Sequence, residues 1–104
     1  MNDRLNFCSV RENQLVTLPK SMVRLAGLQR LDVGQNDLTD LPEVVGAVGS
    51  LRELWLDGNR LDVLPDFIGG LANLVHLDAS RNVLRGIAPN IGLCKWVNIA
   101  ILMG

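Results

Sequence analysis

Apolar residues recur along this chain in a fixed order of spacings. Leu51, Leu54, Leu56, Leu61 and Leu64 share one such set, with Asn59 between Leu56 and Leu61. The set returns 23 residues earlier as Leu28, Leu31, Val33, Asn36, Leu38 and Leu41, and once more as Leu5, Cys8, Val10, Asn13, Leu15 and Leu18. It also follows 23 residues later as Leu74, Leu77, Ala79, Asn82, Leu84 and Ile87. Self-similarity at a fixed period is the mark of a repeat architecture. Four repeats result, over 5–27, 28–50, 51–73 and 74–96, with a remnant at 1–4 and an apolar tail or partial fifth strand at 97–104.

Each repeat can be read as a physical object, its positions counted from the first leucine. Apolar residues at positions 4 and 6 alternate with polar neighbours, the period of a half-buried strand. Leu54 and Leu56 therefore face inward, and Glu53, Trp55 and Asp57 face outward. A sharp turn follows, where an inward asparagine side chain can pair backbone groups that would cost roughly 1–3 kcal/mol each if buried alone. Asn13, Asn36, Asn59 and Asn82 are thus expected to form a ladder along the stack. Leucines at positions 11 and 14 close the core, and Pro19, Pro42 and Pro65 open the return segment. Two further apolar positions lie three residues apart, as in Met22 and Leu25, Val45 and Val48, Ile68 and Leu71, and Ile91 and Cys94. That spacing suits one face of a short helix. No repeat can bury its stripe alone, so neighbours must stack.

The composite LxxLxLxxNxLxxLP is the leucine-rich repeat pattern. The expected fold is an α/β solenoid, with a curved parallel sheet on the concave face and short helical turns on the convex face. In register, Val97, Ala100 and Leu102 fall at positions 1, 4 and 6 of a fifth repeat, with Ile99, Ile101 and Met103 facing outward. The run from Trp96 to Met103 is far shorter than the roughly 20 residues a membrane-spanning helix needs. It is uncharged and lacks proline at an open sheet edge, which is an aggregation hazard. The chain reads as a piece of a longer array, marginally stable alone and prone to self-association, whose residues 95–104 need not be native to its parent.

Composition narrows the function classes. A net charge of −1 gives no bulk attraction to nucleic acid or to an anionic membrane. Membrane association is expected to be peripheral at most. Cys8 and Cys94 both occupy core positions three repeats apart, too far for a bridge. No signal-peptide pattern opens the chain and no disulfide-bonded end cap is present, so a cytoplasmic compartment is expected. Catalytic motifs are absent, no metal or cofactor is called for, and a non-enzyme is expected. Asp57-Gly58-Asn59 begins like a calcium loop, but Leu61 stands where an oxygen ligand is needed.

Candidate binding residues are therefore the outward strand positions. Position 3 supplies Phe7, Arg30, Glu53 and His76, and position 5 supplies Ser9, Asp32, Trp55 and Asp78. Arg11, Gly34, Asp57 and Ser80 follow at position 7. Arg30, Asp32, Glu53, Trp55, Asp57, His76 and Asp78 form the proposed protein-binding set. Trp55, with Asp32 and Asp78 on the neighbouring strands, is either an anchor for a partner's Arg or Lys beside an apolar group or a cover for the sheet.

Within the intracellular class of these repeats, SVRENQLVTLPKSM, LDVGQNDLTDLPEV, LRELWLDGNRLDVLP and LDASRN resemble the Scribble, Erbin and Densin group, the LAP family of leucine-rich repeat and PDZ scaffolds. The resemblance covers about residues 5–94, and KWVNIAILMG departs from it. It implies a non-catalytic scaffold module at the basolateral cortex or cell junctions, binding polarity or junction proteins. The alternatives are the recognition arm of a kinase or phosphatase carrying such repeats, and a truncated product without independent function.

Overall fold

The computed structural model describes residues 7–18, 27–87 and 98–100. The remnant at 1–4, Pro19, Met22, Leu25, Ile91, Cys94 and the tail beyond Ala100 lie outside them. Among the described residues seven strands run in chain order: β1 (Phe7–Ser9), β2 (Arg30–Asp32), β3 (Glu53–Trp55), β4 (Val63–Leu64), β5 (His76–Asp78), β6 (Gly86–Ile87) and β7 (Asn98–Ala100). Five of them form one parallel sheet in the order β1-β2-β3-β5-β7. One repeat contributes one strand, and each repeat's return segment is the crossover that parallel pairing requires.

The alternation read from sequence sets the two faces of this sheet. Leu31, Leu54 and Leu77 are fully buried and in register, as are Val33, Leu56 and Ala79 just beyond the strands. Leucines from positions 1, 11 and 14 join them in one continuous core, reaching from Leu18 to Leu84. Cys8 is only partly buried and packs against the end of that core.

Short 3-10 turns occupy the opposite side at Glu43–Ala47 and Asp66–Gly70, each preceded by an extended proline, Pro42 or Pro65. Proline fixes φ and lacks an N–H, so it suits a helix start. Val45 with Val48, and Ile68 with Leu71, are buried. A 3-10 helix closes one turn in three residues. The three-residue spacing of these apolar pairs therefore keeps both members on the core.

Two features differ from the sequence reading. The short β4 pairs in parallel with β6 through Val63↔Gly86 and Leu64↔Ile87, a second sheet that the pattern did not suggest. And β7 enters one residue early. Its register sets Ile99 opposite Leu77 and Ala100 opposite Asp78, so Ala100 does not take position 4 as the 23-residue period requires. A one-residue slip exchanges the faces of a strand. The early register gives Ile99 the place in the row that Leu31, Leu54 and Leu77 hold.

Candidate protein-binding face

The asparagines tie each repeat to the one before it. Asn36 Oδ1 accepts from the backbone N–H of Asn13 at 2.9 Å and of Leu15 at 3.0 Å. Its Nδ2 donates to the carbonyls of Val33 at 2.8 Å, Val10 at 3.1 Å and Gly34 at 3.1 Å. Asn59 accepts from Leu38 N–H at 3.1 Å and donates to Leu56 and Val33. Asn82 accepts from Leu61 N–H at 2.9 Å and donates to Leu56 and Ala79. The side-chain amide of Asn13, at the exposed end, donates to carbonyls of its own repeat, those of Val10 and Arg11. The residue before each asparagine is left-handed: Glu12, Gln35, Gly58 and Arg81 have φ of 63°, 56°, 70° and 55°. That turn aims the amide inward, and it recurs whether or not the residue is glycine.

On this scaffold the outward side chains form rows across the sheet. Pairing sets Phe7, Arg30, Glu53 and His76 side by side, and Ser9, Asp32, Trp55 and Asp78 side by side. In the first row the Arg30 guanidinium lies 5.1 Å from the centre of the Phe7 ring, and its Nε lies 3.1 Å from Glu53 Oε1. Glu53 Oε1 also accepts from Trp55 Nε1 at 3.2 Å. Partial burial pushes the Glu53 carboxyl up. The hydrogen bonds from Arg30 and Trp55, with the attraction of Arg30 and His76, outweigh that and hold it below its ordinary value. The Trp55 ring packs on His76 with centroids 4.3 Å apart and planes tilted by 37°. His76 Nε2 is buried and has no hydrogen-bond partner among the described residues. Trp55 itself stays half-buried.

Sequence reasoning set Arg11 on the outward face but left it out of the proposed protein-binding set. Its side chain crosses two repeats, placing Nε 2.9 Å from Asp32 Oδ2 and Nη2 2.6 Å from Asp57 Oδ1. The hydrogen bonds to Asp57 and then Asp32 raise the pKa of the guanidinium still further, against a smaller effect of burial. Asp32 also accepts from Gly34 N–H at 3.0 Å. The open passage over Gly34 was the signal that could have found this, because only glycine leaves room there. A Cβ at Gly34 would stand 2.5 Å from Arg11 Nη2 and 2.6 Å from Asp57 Oδ1.

The structure therefore divides the candidate set. Asp32 and Asp57 are drawn together by Arg11, and Arg30 is paired with Glu53. Asp78 stands apart. Its Oδ1 accepts from the Ser80 N–H at 3.0 Å and the Ser80 hydroxyl at 2.7 Å, and no cation among the described residues pairs with it. Trp55, His76 and Asp78 thus make a half-buried aromatic pair beside an unpaired carboxylate.

The comparisons with known proteins agree on the fold. The model of the Leucine Rich Repeat family matches residues 50–71, which is most of the third repeat. Among solved structures, the Toll–Spatzle complex of Drosophila is similar at a TM-score of 0.78 and 31% identity, over 88% of this chain and 13% of that one. A leucine-rich-repeat protein of Leptospira interrogans is similar at a TM-score of 0.70 and 28% identity, over 92% of this chain and 30% of that one. No curated protein matches the chain. The chain contains a leucine-rich repeat and folds as a leucine-rich-repeat solenoid. It spans 13% and 30% of the solved chains it resembles.

Proposed function

We propose that this solenoid is a non-catalytic protein-interaction module that docks its partner on the concave strand face. Leucine-rich-repeat domains generally mediate protein–protein contacts, and one of the similar structures is itself a complex of Toll with Spatzle. The observation that carries the reading is the unpaired Asp78 beside Trp55, whose ring is braced by His76. A large ring held in place loses little conformational freedom on binding, and tryptophan is enriched among residues that dominate interfaces. The carboxylate gives the ring a polar neighbour suited to a guanidinium or ammonium. The ligand is then a segment with a basic residue next to an apolar one. The resemblance of the repeats to the LAP scaffolds supports a setting at the cytoplasmic side of cell junctions, with polarity or junction proteins as partners.

Selection of ligands from a random peptide library displayed on phage tests this reading. The expected ligands carry Arg or Lys beside Leu, Phe or Trp, and they lose binding to Trp55→Ala and to Asp78→Asn. Ligands of no consistent charge that bind both variants unchanged would show that this face is not the docking site.

A further inference from the structure

A second feature of the same sheet points to a different chemistry. Where the strands begin, Phe7, Gln29, Arg30, Arg52 and Glu53 line an open cavity of about 280 Å³. Its charges are unevenly committed. Glu53 is already held by Arg30 and by the Trp55 N–H. Arg52 is exposed, and its guanidinium has no ion pair or hydrogen bond among the described residues, although its backbone carbonyl takes the N–H groups of Val75 and His76. With Arg30 and Glu53 cancelling, Arg52 leaves the wall with one unbalanced positive charge. Phe7, 48% exposed, adds an apolar surface beside it.

We propose that this cavity is a binding site for an acidic peptide side chain, a Glu or Asp of the partner, with the apolar residue next to it lying on Phe7. A carboxylate matches the fork of a guanidinium with two parallel hydrogen bonds. A single negative charge also balances the wall. A phosphate, carrying close to two, would bring its excess against the Glu53 carboxylate, which stays ionised at neutral pH. The cavity shares none of its lining with the Trp55–Asp78 pair, so the proposal stands independently of that docking reading.

Three capped tripeptides, with Glu, Gln or Lys between two leucines, are titrated into the isotope-labelled chain at neutral pH and followed by nuclear magnetic resonance. The glutamate peptide is expected to shift the Arg52 and Arg30 side-chain N–H signals saturably. Its affinity should fall about tenfold in Arg52→Ala, as expected for loss of one charge-assisted pair. Arg52→Lys should restore part of it, and Arg60→Ala, which removes an exposed arginine outside the cavity, should leave it unchanged. Equal shifts from the glutamine or lysine peptide overturn the proposal. So does tighter binding of inorganic phosphate than of the glutamate peptide, or an affinity indifferent to Arg52→Ala. Because the Arg52 side chain is exposed and makes no ion pair or hydrogen bond among the described residues, its variants keep the fold and a loss of binding reports on the site.

Discussion

Arg11 Nη2 and Asp57 Oδ1 lie 2.6 Å apart although a whole repeat stands between them. The guanidinium reaches across Gly34 and takes Asp32 on the way, so three successive repeats share one ion cluster. Its effect on function is indirect. By occupying two of the three outward aspartates it leaves Asp78 as the carboxylate beside Trp55 that a partner can use. Its effect on the fold is direct, and it leads to the first test.

Gly34→Ala should force Arg11 aside and destabilise the chain by about 1 kcal/mol, the size of a partly exposed charge-assisted contact. In an Arg11→Ala background the same change should cost little, since nothing then occupies the space. Gly49→Ala, where an added Cβ meets nothing within 4 Å, serves as the control. Urea midpoints of the four chains in the cycle measure the coupling, and additive effects would contradict the described arch.

Asn59→Ala should be far more damaging than Asn13→Ala. The buried Asn59 amide serves Leu38 N–H and the carbonyls of Val33 and Leu56, and its loss leaves these without a partner at about 1–3 kcal/mol for each truly buried group. Asn13 is exposed, and water can replace its two bonds to Val10 and Arg11. Chemical denaturation of the two variants gives the comparison directly.

The left-handed residue before each asparagine offers a gain. Arg81 is exposed at φ 55°, whereas the equivalent Gly58 meets the same requirement without a side chain. Arg81→Gly should raise stability by about 0.5–1 kcal/mol, the relieved backbone strain less the extra freedom of the unfolded chain. Gly58→Ala should lower it by a similar amount, because an Ala Cβ is strained at φ 70° while the exposed Gln35 amide it would meet can swing aside.

These features differ in how far they could be read from sequence. The inward leucines, Pro42 and Pro65 at the start of their return segments and the register of the first four sheet strands follow from the 23-residue period, because each is dictated within one repeat. The Arg11 cluster depends on three side chains from three repeats and on an absent one, Gly34, so no single repeat encodes it. The β4–β6 pairing arises only when Val63 and Gly86 are stacked. The early register of β7 follows no signal in the period at all, since the fourth repeat ends in a sequence that has lost the pattern. Within the candidate face, the Arg30–Glu53 pair and the placement of Trp55 between Asp32 and Asp78 were legible from equal position numbers. The division of the carboxylates into spoken for and free was not.

Acid should weaken the fold through Glu53. Its folded pKa is depressed below the ordinary value of 4.5, so its stabilising contribution is complete above that value and is lost as the pH falls through the folded pKa. Glu53 and Arg30 are partly exposed, which limits the contribution to about 0.5–1 kcal/mol. Glu53→Gln should therefore lower the urea midpoint at pH 7 and converge with the unaltered chain in strong acid. A constant difference at all pH values would contradict the assignment.

The central claim is that the strand face binds and the return face does not. Calorimetric titration of a library-selected peptide into Trp55→Ala, Asp78→Asn and the return-side variants Glu43→Ala and Asp66→Ala, at exposed positions of the two 3-10 turns, tests it most directly. The expected result is an affinity lowered about tenfold or more by Trp55→Ala, as for an interface anchor, a smaller loss for Asp78→Asn, and no change for Glu43→Ala and Asp66→Ala. Full affinity in Trp55→Ala together with a loss in either return-side variant would contradict the account and move the binding surface to the other side of the solenoid.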